Sequence, residues 1–143
     1  MPGRPFKREP KALLVHPDLK VLNDLQNELV QKGYECILAR DLPTALLAMT
    51  QHYFDMGLIA TQITEQGDGW SLSGVFRMVF PKSFVAVLGA DTGIRTLQTA
   101  INNGINDVYE ATSTPQEIVN AVVTQMTSFQ ALFDTSKASR RVH

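Results

Sequence analysis

The sequence predicts a doubly wound α/β fold, in which one parallel sheet of five strands, ordered 2-1-3-4-5, is covered on both faces by five helices. Short apolar runs, clearest at Met56–Ala60 and Phe84–Leu88, suit strands that are buried on both faces. Apolar residues at helical spacing follow each run. Five strand-helix units in alternation, joined by short right-handed crossovers, leave few other topologies.

The first unit begins at residues 12–15, an apolar run that His16-Pro17 stops because proline cannot continue a central strand. Asp18 is placed to cap helix one, and Gly33 can end it in the left-handed conformation. The side chains of this helix that are expected to face the core are Leu22, Leu25 and Leu29.

The next three helices follow strands at residues 34–39, Met56–Ala60 and Phe84–Leu88. Asp41 is expected to cap helix two, helix three to begin near Gly69 and end before Pro81, and helix four to end at Gly104. The side chains predicted to be buried beneath these helices are Ala45, Leu46, Met49, Tyr53, Leu72, Val75, Phe76, Val79, Ile94, Leu97 and Ile101.

The last unit has a short strand at residues 107–110 and then the clearest helix start in the chain. Thr114-Pro115-Gln116-Glu117 is a capping box with proline at the first helical position. An apolar stripe on helix five continues beyond the point where the domain core should end; it comprises Ile118, Val119, Val122, Val123, Met126, Phe129, Leu132 and Phe133.

Composition limits the classes of function. Thirteen basic and fourteen acidic side chains give a net charge of -1, so no overall field attracts nucleic acid or a membrane surface. Cys36 is the only cysteine, which excludes an internal disulfide, and no secretory leader or long apolar span is present. We therefore expect a cytoplasmic protein that binds neither nucleic acid nor membrane directly.

The chain is expected to contain one compact domain with short extensions. Residues 1–11 carry three prolines and four basic residues, and we interpret them as a flexible basic arm. Residues 12–133 should form the domain. Residues 134–143 are small, polar and basic, which is typical of a linker or tail.

Three stretches of the sequence, in their order along the chain, resemble the receiver domain of bacterial two-component response regulators. They are Phe54-Asp55-Met56-Gly57-Leu58-Ile59 followed by Gly67-Asp68-Gly69-Trp70, then Gly104-Ile105-Asn106-Asp107-Val108-Tyr109, and then Ser113-Thr114-Pro115-Gln116-Glu117. The resemblance covers residues 11 to about 127 and implies a flavodoxin-like, CheY-like fold. It also implies an aspartyl phosphorylation site at the carboxyl edge of the sheet, with an acidic pair that holds Mg²⁺.

The positions that match this pocket do not carry the family's chemistry. His16-Pro17 stands in place of the acidic pair, and Asp18 alone survives beside it as an expected helix cap. The acceptor aspartate corresponds to Ala60, or to Thr61 if the one-residue offset lies in the strand. Gly89 replaces the hydroxyl residue after strand four, and Ala111-Thr112 replaces a Lys-Pro pair. We therefore expect no catalytic residues, no metal and no cofactor.

Two functions follow from the resemblance. The first is a pseudo-receiver, a phosphorylation-independent signalling module that is not an enzyme and acts by protein-protein contacts. The alternative is an atypical response regulator that is still switched at the carboxyl edge, by phosphorylation or ligand binding through Thr61, His16 or a bound small molecule.

The candidate interface lies on strand five and helix five. Its residues are Val108, Tyr109, Val122, Met126, Phe129, Leu132 and Phe133. Val108 matches the aromatic residue that moves on activation in the family. The stripe at Phe129 to Phe133 is expected to mediate homodimerisation or docking to a downstream output domain, the alternative being that these rings fold back onto the domain.

Overall fold

The computed structural model describes residues 9–64 and 67–142, with side chains up to residue 128. Ten strands and helices alternate along the described residues. Their bounds are β1 Lys11–Val15, α1 Leu19–Gln31, β2 Glu35–Ala39, α2 Leu42–Gln51, β3 Met56–Ala60, α3 Gly69–Val79, β4 Phe84–Leu88, α4 Ile94–Asn102, β5 Asp107–Tyr109 and α5 Pro115–Val142. The sheet is parallel with the order β2-β1-β3-β4-β5, which confirms the predicted fold class.

A row of apolar side chains crosses the whole sheet on one face. Val15 lies opposite Ala39 of β2 and Ile59 of β3, and the row continues through Val87 and Val108. All five belong to one buried cluster, which also takes side chains from α2, α3 and α4. A second cluster on the other face receives side chains from α1 and α5. The sheet is therefore covered on both faces, as its continuous apolar strands predict.

The helix caps predicted from the sequence are confirmed at the starts of α1, α2 and α5. The Asp18 carboxylate accepts the Lys20 amide at 2.9 Å, and the Asp41 carboxylate accepts the Thr44 amide at 2.8 Å. At α5, Thr114 and Glu117 exchange two hydrogen bonds of 3.1 and 3.2 Å. Such bonds satisfy first-turn amides, which have no partner within the helix.

The burial predicted for α2, α3 and α4 is partly wrong. Several side chains expected in the core are exposed: Leu46, Tyr53, Val75, Val79, Ile94, Leu97 and Ile101. Small side chains face the sheet instead, with Ala48 buried under α2 and Ala100 under α4. Because small residues let a helix approach the sheet closely, the larger apolar side chains on the same helices are turned toward solvent.

Strand limits differ from the predictions by one residue. β1 begins at Lys11, whose amide donates to the Asp55 carboxylate at 2.8 Å. β2 begins at Glu35, and β5 ends at Tyr109.

The last helix is longer than expected, since α5 continues through Val142. Residues 1–8 of the predicted basic arm lie outside the described residues. Among the helices that the structure describes, none is long and apolar enough to cross a membrane.

Candidate functional site

The carboxyl ends of four neighbouring strands meet at one edge of the sheet. His16 follows β1, Thr61 follows β3, Gly89 follows β4 and Glu110 follows β5. In open parallel sheets, ligands bind in the crevice outside these ends. The side chains at this edge therefore decide what chemistry the fold can perform.

His16 is engaged in a local hydrogen bond. Its Nδ1 atom accepts the backbone amide of Asp18 at 2.9 Å, and its own amide donates to the Ala39 carbonyl at 3.1 Å. Burial lowers the pKa of the His16 imidazole from its ordinary value of 6.5, although the Asp18 carboxylate acts in the opposite direction. The imidazole is therefore held neutral with Nδ1 as an acceptor, which is a structural use of the ring.

The next two positions are also occupied structurally. Arg40, at the end of β2, donates to the Pro17 carbonyl from Nε at 3.1 Å and from Nη2 at 3.0 Å. The Asp18 carboxylate, the one acid retained from the resemblance, caps α1 through the Lys20 amide. The predicted role of Asp18 as a cap is confirmed.

Thr61 and Gly89 lie against each other at the ends of β3 and β4. Thr61 is 8% exposed, and its amide donates to the Leu88 carbonyl at 2.9 Å. A Cβ atom built on Gly89 would lie 3.5 Å from Thr61 Oγ1. Gly89 has a φ of 92°, and its amide donates to the Tyr109 carbonyl at 2.8 Å. Of Ala60 and Thr61, the side chain that meets Gly89 is therefore that of Thr61.

The start of α3 is pressed against the end of β3. The Gly69 amide donates to the Thr61 carbonyl at 2.9 Å, and a Cβ atom at Gly69 would lie 1.8 Å from the Ala60 carbonyl oxygen. No side chain fits into that space. The requirement for glycine in the Asp68-Gly69 pair is thus a close backbone approach, which closes the crevice on this side.

A small cavity of about 140 Å³ opens at the same edge, between β1, β4 and the start of α5. Its walls include His16, Gly89 and Ala111, so three of the predicted pocket positions are brought together. Ala60 and Thr61 lie outside its lining. The only carboxylate in its lining is that of Glu110, which accepts a hydrogen bond from Thr92 Oγ1 at 3.0 Å.

The donor groups at this edge do not fit a Mg²⁺ ion, which usually binds through carboxylates and phosphate oxygens. Asp18 caps α1 and lies outside the cavity lining, and the Glu110 carboxylate accepts a hydrogen bond from Thr92. In the part of the chain that the structure describes, no three His, Cys, Asp or Glu side chains form a group that could hold a metal.

Sequence reasoning missed Arg40 and Glu110. Each stands directly after a strand, Arg40 after β2 and Glu110 after β5. Their position at the carboxyl edge was therefore the signal that could have identified them. The resemblance to receiver domains concerns other positions, so it did not identify either residue.

The candidate interface needs correction at three residues. Val108, Val122 and Met126 are 8%, 0% and 3% exposed and belong to the core clusters, so they do not form a surface. Val122 and Met126 belong to the apolar stripe with which α5 covers one face of the sheet, whereas Val108 lies in the buried cluster on the opposite face, beneath α2, α3 and α4. The side chains of Phe129, Leu132 and Phe133 lie outside the described residues.

Tyr109 is half-buried beneath α5 and is not exposed on the surface as the candidate interface requires. Its hydroxyl accepts a hydrogen bond from Gln125 Nε2 at 3.2 Å, and the same amide donates to the Asp107 carboxylate. Burial, together with Asp107, raises the pKa of Tyr109. The three side chains therefore join the edge strand to α5.

Comparisons with known proteins identify the fold. No family model and no curated protein matches the sequence. Among solved structures, a CheY-like response regulator receiver domain protein from Methanospirillum hungatei JF-1 is similar with a TM-score of 0.77 and 14% identity, over 87% of this chain and 98% of that chain.

Two further solved structures are similar to this chain. A response regulator from Burkholderia pseudomallei, which carries a phosphorylated aspartic acid, a calcium ion and citrate, has a TM-score of 0.71 and 19% identity, over 90% of this chain and 75% of that chain. NtrX from Brucella abortus has a TM-score of 0.79 and 18% identity, over 92% of this chain but 30% of that chain. The chain therefore has the fold of the CheY-like response regulator receiver domains.

Proposed function

We propose that this chain is a pseudo-receiver: a receiver-like signalling module of a two-component type regulator that acts by protein-protein contacts without being phosphorylated. One observation carries the proposal. The residues that match the family's pocket positions at the carboxyl edge, His16, Pro17, Thr61, Gly89 and Ala111, include no carboxylate and no cation. The similar Burkholderia pseudomallei protein carries a phosphorylated aspartic acid, whereas Asp18, the acid retained here, caps a helix.

The hydrogen bonds at this edge support the same conclusion. His16 Nδ1 and the Pro17 carbonyl have partners, and Thr61 is packed against Gly89. A phosphoryl group needs counter-charge, which neither glycine nor alanine supplies at positions 89 and 111. Transfer to Thr61 Oγ1 would also need a base to remove its proton, and the described contacts of Thr61 include none.

The output of such a module would pass through a partner protein or a downstream domain. NtrX, of which this chain matches 30%, is a similar protein that is much longer than the matched region. We propose that the apolar residues Phe129, Leu132 and Phe133 of α5 dock onto that partner. Further up the same helix, Ile118, Val122 and Met126 are already buried in the core.

Intact-protein mass spectrometry after incubation with acetyl phosphate and Mg²⁺ tests the proposal. The Burkholderia pseudomallei response regulator, which takes up an aspartyl phosphate, is the positive control. We expect an adduct on the control and none on this chain. A stoichiometric acid-labile adduct on this chain would refute the pseudo-receiver, and an acid-stable adduct lost in Thr61→Val would favour the switched alternative.

A further inference from the structure

The cavity at the carboxyl edge of the sheet has a lining of mixed chemistry. Its apolar wall is formed by Val21 of α1, Leu88 of β4 and Ile118 of α5. Leu88 and Ile118 are each 5% exposed, so the packing of the core holds these two side chains in place. Polar side chains complete the lining. A ligand with a short hydrocarbon part and polar ends would therefore match it.

The volume of the cavity limits the size of such a ligand. The cavity measures about 140 Å³, and a cavity of about 150 Å³ holds a molecule of the size of benzene. Gly89, Glu110 and Ala111 in the lining are exposed, so a ligand can enter from solvent. A molecule of about five or six non-hydrogen atoms therefore fits.

Glu110 gives the cavity a negative charge. It supplies the carboxylate of the lining, and none of the described residues that line the cavity is Lys or Arg. Thr92 donates to Glu110 Oε1 at 3.0 Å, which restricts the orientation of the carboxylate, while Oε2 can accept a hydrogen bond from a ligand. A protonated amine would meet an opposite charge here, whereas an anion would meet a like charge.

Two neutral side chains of the lining, His16 and Ser113, add hydrogen-bond donors. His16 accepts the Asp18 amide at Nδ1, and burial lowers the pKa of the imidazole. The neutral ring therefore carries its proton on Nε2 and can donate it. The Ser113 hydroxyl can donate as well. An oxygen atom of a ligand, in a hydroxyl or carbonyl group, would suit both donors.

The start of α5 adds little positive charge against a cation. A helix N-terminus carries a partial positive charge, and Pro115 of the first turn lines the cavity. Glu117 lies in the same turn, and the hydrogen bond that it accepts from the Thr114 amide lowers its pKa. Its ionised carboxylate therefore offsets the charge of the helix end.

From these features we propose that the cavity binds a small protonated amine that also carries a hydroxyl or carbonyl oxygen. The ammonium group pairs with the Glu110 carboxylate. The oxygen accepts hydrogen bonds from His16 Nε2 and Ser113 Oγ, and the hydrocarbon between the two groups lies against Val21 and Ile118.

This inference goes beyond the proposed function, because a module that acts by protein contacts can also be controlled by a bound molecule. It involves no phosphoryl group. Failure to bind an amine would leave the result with acetyl phosphate unaffected, and an adduct with acetyl phosphate would not by itself decide whether an amine binds.

Amide NMR titrations of the full chain at about pH 7.5 and constant ionic strength test the inference, since amines are protonated at this pH. The probe is linear propanolamine, with its two functional groups at opposite ends. Saturable shifts are expected at the amides of residues 16, 89, 111 and 113, with a Kd between about 10 μM and about 10 mM. Propanediol, which has the same size without the charge, should give no saturable shifts. Butylamine, which has the same size without the oxygen, should bind more weakly than propanolamine.

Substitutions identify the two contacts. Glu110→Gln should weaken the binding of propanolamine about three- to tenfold, a range that allows for the exposure of Glu110. Glu35→Gln, at an exposed acid at the start of β2, is the matched control and should bind as the wild type does. Ser113→Ala should weaken the binding of propanolamine but not that of butylamine. The amide spectrum of each variant shows whether it is folded.

Four results would overturn the inference. They are the absence of saturable shifts with propanolamine up to about 50 mM, equal binding of propanediol, an unchanged affinity for propanolamine in Glu110→Gln, and equal affinities for propanolamine and butylamine in the wild type.

Discussion

His16, at the carboxyl end of β1, has a structural role. Its Nδ1 atom accepts a hydrogen bond from the Asp18 amide, and the Asp18 carboxylate accepts one from the Lys20 amide. The two side chains together therefore stabilise the turn from β1 into α1. A protonated imidazole cannot accept a hydrogen bond at Nδ1. The turn therefore depends on a neutral histidine.

This dependence predicts a loss of stability in mild acid. The pKa of His16 is lowered by folding from its ordinary value of 6.5, so the unfolded chain binds the proton first as the pH falls. Stability should therefore decrease below about pH 6.5, toward the lower pKa of the folded state. His16→Asn keeps an acceptor at this place and does not titrate, so its urea midpoint should fall less between about pH 7 and about pH 5. Parallel pH dependence in both proteins would contradict the role given to His16.

Gly69 is a second residue whose role is defined by its surroundings. Gly69→Ala should destabilise the fold by about 2–4 kcal/mol, because its Cβ atom would overlap the Ala60 carbonyl oxygen. Gly67→Ala is the control: its φ is 74° but nothing lies within 4 Å of the added atom, so it should cost about 1 kcal/mol. Urea unfolding measures both. Equal losses would contradict the close backbone approach as the reason for glycine at position 69, where φ is not positive.

At the scale of elements, the start of α5 gives a direct test of local stabilisation. Thr114→Ala removes the hydroxyl that accepts the Glu117 amide and should lower the free energy of unfolding by about 1 kcal/mol. Thr127→Ala, at an exposed position inside the same helix, should change it by less than about 0.5 kcal/mol. Urea unfolding again provides the measurement, and equal effects of the two substitutions would contradict the cap.

Strands and helix caps could be predicted from the sequence because their signals are local. The limits of β3 and β4 were predicted correctly, since unbroken apolar runs end at Ala60 and Leu88. The same reasoning failed for α4, where Ile94, Leu97 and Ile101 form an apolar stripe that faces solvent. Periodicity shows that apolar residues share a face, but only the packing of Ala100 against the sheet decides which face is buried.

The candidate site was predictable in part for a related reason. The spacing of motifs located His16, Gly89 and Ala111, which the fold does bring to one cavity. The hydrogen bonds that occupy this edge come from Arg40 and Thr92, which are distant in sequence from the groups they contact. No sequence pattern indicates such contacts. The burial of Val108, Val122 and Met126 was missed because it depends on how the helices pack across the two faces of the sheet.

For the whole molecule, the structure separates two surfaces of different character. The carboxyl edge of the sheet is occupied by hydrogen bonds from Arg40 and Thr92 and is closed on one side by the approach of Gly69 to the end of β3. The helices α2, α3 and α4 carry little charge and expose apolar side chains. Retention of the scaffold together with this distribution favours a module whose function depends on contacts.

The central claim is that the carboxyl edge does not take up a phosphoryl group. The most direct measurement is the amide NMR spectrum of the full chain during titration with Mg²⁺ and beryllofluoride, which imitates an aspartyl phosphate. We predict no saturable shifts at the amides of residues 16, 60, 61, 89 and 111. Saturable shifts at these amides, dependent on both additives, would contradict the pseudo-receiver and show that the edge still responds as a phosphorylation site.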